Sequence, residues 1–253
     1  SALAPDSKTL AELDGPALLG ERAALLGLAR QGSVAPGGSC RLLATQDGWL
    51  ALNLPRVEDR ELLPAWLETP ALAGEDPWTF AGRALEGRPA RAWVERGRLM
   101  GLALAEVGDL PANPEPWLRI DTPGRIRPAP VPGGSRPLVV DLSSLWAGPL
   151  CASLLAASGG HVVKVESIGR PDGARRGSPE FFDLMNAGKA SVALDLDGPP
   201  GIRELRSLIA QADIVIESAR PRALAHLGVE ARTSVRSHPG QVWVSITGHG
   251  RAG

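Results

Sequence analysis

Tyrosine is absent from this chain, and cysteine, methionine, phenylalanine and lysine are scarce, at two, two, three and three in 253 residues. The cysteines, Cys40 and Cys151, lie far apart and in no metal-ligand spacing, and such sparse usage suits a reducing compartment. No apolar run approaches the length needed to span a bilayer. The opening residues, SALAPDSKTLAELDG, lack the basic start and apolar core of a signal peptide. An excess charge of one sign is missing too. Lys+Arg 27 against Asp+Glu 28 leaves −1, so no global field draws in nucleic acid or an anionic membrane. Any anion binding must rest on local basic clusters. Neither a dinucleotide-binding glycine fingerprint nor a P-loop is present, which argues against NAD or ATP binding through those motifs. A cytoplasmic protein without a metal or redox cofactor is the expectation.

The composition that remains is that of an ordinary globular protein, 43% apolar and 22% charged. The length allows one large domain or two modest ones. Residues 1–120 read as a small α+β domain. Within it, RLLATQDGWLALNL carries Asp47-Gly48 between two apolar runs, the signature of a type I′ hairpin. Helical patterns flank it in PALLGERAALLGLAR and DRELLPAWLE, where Pro64 predicts a break or a late start. RPARAWVERGRLMGLALAEVG reads as helix then strand. Residues 121–136, DTPGRIRPAPVPGGSR, read as a Pro/Gly-rich linker.

From Pro137 the pattern alternates. PLVVDL, HVVKVE, SVALDL, DIVIES and VWVSITG read as strands, and AGPLCASLLAAS, IRELRSLIAQA and PRALAHLG as helices. Such alternation implies right-handed crossovers and a mainly parallel sheet. The fold class is therefore α/β, a Rossmann-like sheet over 137–253 preceded by the smaller α+β domain. In such sheets ligands bind beyond the carboxyl ends of the strands. The loops that fall there are 143–148, 167–176, 218–222 and 247–253. Two of them hold Arg170, Arg175, Arg176, Arg220 and Arg222, which could grip phosphates in bidentate fashion. On pattern alone, ordinary solvated arginines are the plainer reading.

The phrases DLSSLWAGPLCASLLAASGGHVVKVESIGRPDGARR, NAGKASVALDL, ADIVIESARPRALAHLG and VSITGHGRAG together resemble family III CoA-transferases. That class includes formyl-CoA transferase, carnitine CoA-transferase and α-methylacyl-CoA racemase. The four phrases stand in the family's order and spacing and cover residues 137–253.

The resemblance implies a transferase that moves coenzyme A between an acyl-CoA thioester and a carboxylic acid, CoA being substrate and not cofactor. The alternatives are a racemase or epimerase of the same family and a non-catalytic CoA-binding or assembly subunit. It also implies a homodimer of interlocked chains. CoA contacts are implied at Leu145, Trp146 and Ala147 after the first strand. Ser167 stands where the family often has an arginine, so Arg170 or Arg175 is expected to substitute. The family's Asn-Phe-Arg-Pro-Gly loop reads Ser218, Ala219, Arg220, Pro221 and Arg222, without its aromatic. His226 holds a basic position, and Thr247, Gly248, His249 and Gly250 replace a Ser-Gly-Phe-Gly turn. The family's catalytic aspartate is expected beyond Gly253, so the domain reads as incomplete there and no catalytic residue is named.

Single residues divide as follows. Trp146 is either a platform for the ligand or a plug under its loop. Lys164 should emerge at a sheet face or in a ligand pocket, and Lys189 should support a phosphate or make a surface salt bridge. Cys151 reads as core, His249 as a loop side chain near substrate, His161 as structural, and Asp195 and Asp197 as turn residues. The N-terminal segment loosely resembles the small-domain part that follows the catalytic region in this family, which suggests permutation, duplication or truncation.

Overall fold

A computed structural model describes residues 13–108, 116–124 and 136–248. Two compact units are present: residues 26–119, and residues up to Leu25 together with those from Ile120 onward. Most of the proposed linker, residues 125–135, and the turn residues His249 and Gly250 lie outside the described residues.

The first helix, α1 (Gly15–Leu25), groups with the second unit, where the Arg22 guanidinium stands 5.4 Å over the Phe181 ring. The unit of residues 26–119 begins with a hairpin of β1 (Cys40–Ala44) and β2 (Trp49–Asn53). The helices α2 (Val57–Glu61), α3 (Leu63–Leu67), α4 (Pro77–Leu85) and α5 (Ala90–Leu99) follow, and then β3 (Ala103–Glu106). The three strands pair antiparallel in the order β1-β2-β3. Alternation in β2 turns Leu50 and Leu52 into a core with Trp66, Phe80, Leu85 and Trp93. Pro64 acts as expected. It sits in the first turn of α3, where its missing N–H costs nothing, and the helical run breaks before it.

The type I′ expectation fails. Ala44 pairs with Trp49, leaving a four-residue loop at 45–48, and Gly48 does not take the positive φ that turn needs. The physical reason lies in Asp47, whose carboxylate accepts from the Ala90 N–H (2.8 Å) and the Thr45 hydroxyl (3.2 Å). The loop tip thereby caps the start of α5.

The second unit alternates strand and helix as its sequence predicts. Its elements are β4 (Leu138–Asp141), α6 (Ala147–Ala157), β5 (His161–Ser167), a 3₁₀ turn (Gly173–Arg176), α7 (Pro179–Asn186) and β6 (Ala190–Leu194). There follow α8 (Pro199–Gln211), β7 (Ile214–Glu217), α9 (Pro221–His226), α10 (Ala231–Ser237) and β8 (Val242–Ser245). All five strands run parallel in the order β6-β5-β4-β7-β8. Val140, Val165 and Val215 face Leu205 and Ile209 of α8 on one side, and Val139, Val162 and Ile216 face Ala152 of α6 on the other. Both faces are covered, as a parallel sheet requires. Strand order reverses between β4 and β7, so the crevice beyond their carboxyl ends is where such a fold accepts a ligand.

Candidate functional site at the carboxyl edge of the parallel sheet

The chain leaves β4 through Asp141, Leu142, Ser143, Ser144 and Leu145 before α6 begins. Asp141 is fully buried. Its Oδ1 accepts from the Ser143 N–H (3.0 Å) and from the Ser143 hydroxyl, while its Oδ2 meets Lys189 Nζ at 3.0 Å. Lys189 is buried to the same degree, its side chain 1% exposed. Its Nζ also donates to the Pro149 carbonyl (2.8 Å) and Asn186 Oδ1 (3.1 Å), so all three of its donors are used. Burial pushes the Lys189 ammonium below the usual lysine range, opposed by the Asp141 charge. Gly148 lies at the start of α6 because a Cβ there would stand 2.1 Å from Ser143 Oγ.

Leu145 adopts φ +71°, a left-handed conformation that costs a branched side chain about 1–2 kcal/mol. Three consecutive residues of this turn are held by side chains from β5 and from the loops after β5 and β7. The Ser143 carbonyl accepts from Lys164 Nζ (3.0 Å). The Ser144 N–H donates to Ser218 Oγ (3.1 Å), across the switch point. The Leu145 N–H donates to Asp172 Oδ1 (3.0 Å).

Asp172 and Lys164 form a buried ion pair at 2.9 Å, with side chains 0% and 1% exposed. Burial alone would raise the Asp172 carboxyl, but the Ala174 N–H, Lys164 and the Leu145 N–H together hold it below the usual carboxylate range. Next to it, Glu166 Oε1 accepts from the Asp172 N–H (2.8 Å), and both its oxygens take the Arg175 guanidinium in a fork, the shortest contact 2.6 Å. Arg175 therefore holds Glu166 well below its ordinary value, and the guanidinium stacks over Phe182 at 4.1 Å.

A carboxylate whose folded pKa is depressed contributes stability at neutral pH that is lost as pH falls through the folded value. The thermal midpoint of the native protein should therefore drop below about pH 4, the ordinary carboxylate range. Arg175→Met, which returns Glu166 toward its ordinary value, should flatten that drop. Thermal melts of both proteins between neutral pH and pH 3 check this, and parallel curves would contradict it.

No cluster of His, Cys, Asp and Glu suited to a metal occurs among the described residues. No described helix is long and apolar enough to cross a membrane.

Residues 137–253 match the profile of CoA-transferase family III. That match covers a little under half of the chain. Over 128 residues it is 32% identical to a succinate–glutarate CoA-transferase from Agrobacterium fabrum, a match covering 46% of this chain and 32% of that protein. Over 126 residues it is 32% identical to an (R)-2-hydroxy-4-methylpentanoate CoA-transferase from Clostridioides difficile, covering 46% and 31%. A solved CAIB/BAIF family protein from Brucella suis is 32% identical over 46% of this chain and 33% of its own, with a TM-score of 0.42. The chain thus spans about a third of the length of the curated relatives it matches.

Of the positions that resemblance to family III CoA-transferases implied for CoA, Leu145, Trp146, Ala147, Ser167, Arg170, Ser218, Ala219, Arg220 and Thr247 all follow or end a strand at the carboxyl edge. Their side chains differ in what they can do. Trp146 is half-buried and packs, with Leu150 and Phe182, against Ala174, Phe181 and Met185, as a plug under its loop. Ser167 is half-buried at the end of β5, and Thr247 half-buried beyond β8. Ser218 serves Ser144, and the Ala219 N–H donates to Glu217 (3.0 Å). Arg175 is committed to Glu166 and Phe182. Arg170 and Arg220 are exposed and make no ion pair with a described residue, and His226 is exposed at the end of α9.

Lys189 corrects its expectation, being neither on the surface nor free for a phosphate. Cys151 is half-buried against the α6 face of the sheet, and burial first, then Asp141, raises its thiol pKa, which fits core and not a nucleophile. Asp195 caps the turn through the Asp197 N–H (3.1 Å).

The sequence reading passed over Asp141, Ser143, Glu166 and Asp172. One signal was available: of only three lysines in the chain, one lies within a strand of this unit and one directly before another. A chain that otherwise uses arginine for its cations has a local reason to keep a lysine.

Proposed function

We propose that the chain binds coenzyme A thioesters at the carboxyl edge of the parallel sheet, as part of a protein that transfers CoA between an acyl-CoA and a free carboxylate. The family III match over residues 137–253 carries this reading. It is supported by two exposed arginines, Arg170 and Arg220, which follow the two strands that flank β4, beside a turn whose backbone is held by three side chains. Guanidinium groups that pair with no described residue are suited to the phosphates of CoA.

In such an exchange a carboxylate attacks the thioester carbonyl and forms a mixed anhydride as the CoA thiolate leaves. The thiolate returns to the anhydride, giving a carboxylate thioester and freeing the first acid, and the acceptor carboxylate repeats the exchange in reverse to leave as the new acyl-CoA. The described residues are assigned binding and orientation of CoA, not the nucleophile. A homodimer, and an acyl-CoA with an acceptor acid as substrates, complete the reading.

Calorimetric titration with CoA and with 3′-dephospho-CoA tests it. Saturable binding that weakens without the 3′-phosphate is expected, and Arg220→Ala should weaken CoA by about tenfold, the worth of one charge-assisted contact. A folded sample that bound neither compound would remove the reading.

A further inference from the structure

We propose that Lys164 and Asp172 are positioning residues that hold the Leu145 turn in the shape the CoA site requires. The inference rests on the CoA-binding reading above and goes beyond it to two side chains that would not themselves touch the ligand.

A fully buried Lys–carboxylate pair is seldom retained for stability, because an apolar pair of similar volume does as well or better. Lys164 and Asp172 are 1% and 0% exposed. Their hydrogen bonds point to a different role. Lys164 leaves the middle of β5 and takes the Ser143 carbonyl, whereas Asp172 lies beyond the strand and takes the Leu145 N–H. Together they grip both ends of a three-residue turn whose last member is left-handed without being glycine. Leucine does not choose that conformation unaided, so the surroundings must impose it.

The third grip, from Ser218 on Ser144, comes from the strand on the other side of β4. Asp172 does one thing more. Its Oδ1 also accepts from the Ala174 N–H (2.9 Å), which ties the arginine-bearing 3₁₀ turn to the same carboxylate. One buried group thus sets the relative placement of the turn after β4 and the turn after β5. Gly173 leaves room for this arrangement, since a Cβ there would meet Leu145 Cδ2 at 3.2 Å.

The test compares two double variants of the full chain. Lys164→Met with Asp172→Leu replaces the pair by apolar groups, which retains the packing but removes every acceptor for Leu145. Lys164→Met with Asp172→Asn is also uncharged but keeps a carbonyl oxygen for the Leu145 and Ala174 amides. Amide hydrogen exchange at Leu145 and Ala174, the thermal midpoint and CoA affinity are read on each.

The first variant should lose about tenfold in CoA affinity and in protection at Leu145, roughly the worth of one buried hydrogen bond. The second should keep Leu145 protection near native and lose less CoA affinity than the first, through loss of the Lys164 grip on Ser143 alone. Native affinity and native Leu145 protection in the first variant would overturn the proposal, as would equal impairment of the two variants. If the first variant does not fold, Lys164→Met alone replaces it; its thermal midpoint should fall because Asp172 is left buried and unpaired, and loss of CoA affinity at a temperature where it is folded is expected, unchanged affinity overturning the proposal. If the native chain does not bind CoA while Leu145 protection responds as described, the CoA reading fails and the clamp on the turn stands.

Discussion

Lys189→Met is expected to destabilise the protein by about 3–5 kcal/mol at neutral pH, because removing one partner of a buried pair strands the other. Asp141 would keep only the Ser143 amide and hydroxyl as partners, in a site with no water-exposed surface. The Pro149 carbonyl and Asn186 side chain would lose a donor at the same time. Methionine fills the volume of the lysine stem, so the loss reads the charge and hydrogen bonds more than a cavity.

Adding Asp141→Asn to the same chain should recover most of the loss. The neutral amide retains an acceptor for Ser143 and no longer carries an unpaired charge. Denaturant titration of the native protein and both variants, with a common m-value, measures the difference. A single-variant loss under about 1 kcal/mol would mean that the pair behaves like an exposed salt bridge, and the description of the site as a dry, fully engaged network would be wrong.

Trp66→Ala should cost a comparable amount, about 3–5 kcal/mol, by a different mechanism. Trp66 is fully buried at the centre of the 26–119 core and meets Trp93 edge-on, with ring centroids 5.9 Å apart. Its indole N–H donates to the Trp93 carbonyl at 3.0 Å. Alanine would leave a large cavity and remove one hydrogen bond from the Trp93 carbonyl. Neighbours cannot easily collapse into the space, since Gly97 on α5 already brings backbone close enough that a Cβ would stand 2.9 Å from the Trp66 ring nitrogen.

Trp66→Phe should return most of the apolar contribution and leave a deficit of about 1–2 kcal/mol for the lost hydrogen bond and ring edge. Unfolding followed by far-ultraviolet dichroism distinguishes the two, and equal losses for Ala and Phe would show that the hydrogen bond, not packing, dominates.

The two predictions differ in how visible their residues are from the sequence. The Trp66 environment follows largely from local pattern. An apolar alternation in β2 and a helical spacing in DRELLPAWLE both point their large side chains at a common core, and the proline break at Pro64 was legible because proline has no N–H to give. The hairpin tip was not legible. Asp47-Gly48 has the right residues for a type I′ turn, but Asp47 is claimed by the Ala90 amide 43 residues away.

The same contrast governs the site. Strand and helix periodicity, read over windows of five to a dozen residues, determined by itself that residues 137–248 form an alternating parallel α/β unit. The loops that carry Arg170, Arg220 and Thr247 then had to emerge at the carboxyl edge, because every crossover in such a sheet returns to the same end. The likeness of residues 137–253 to family III CoA-transferases was likewise written in the sequence, in four phrases held in order.

What only the tertiary structure decided is which charges are spent and which are free. Lys189 meets Asp141 across 48 residues, and Ser218 meets Ser144 across 74. Arg175 and Arg170, five positions apart, end as a buried carboxylate's partner and an exposed cation. Sequence pattern marks a charged residue as polar and says nothing of its partner, whereas the free energy of a buried charge is set almost wholly by that partner and by the exclusion of water around it.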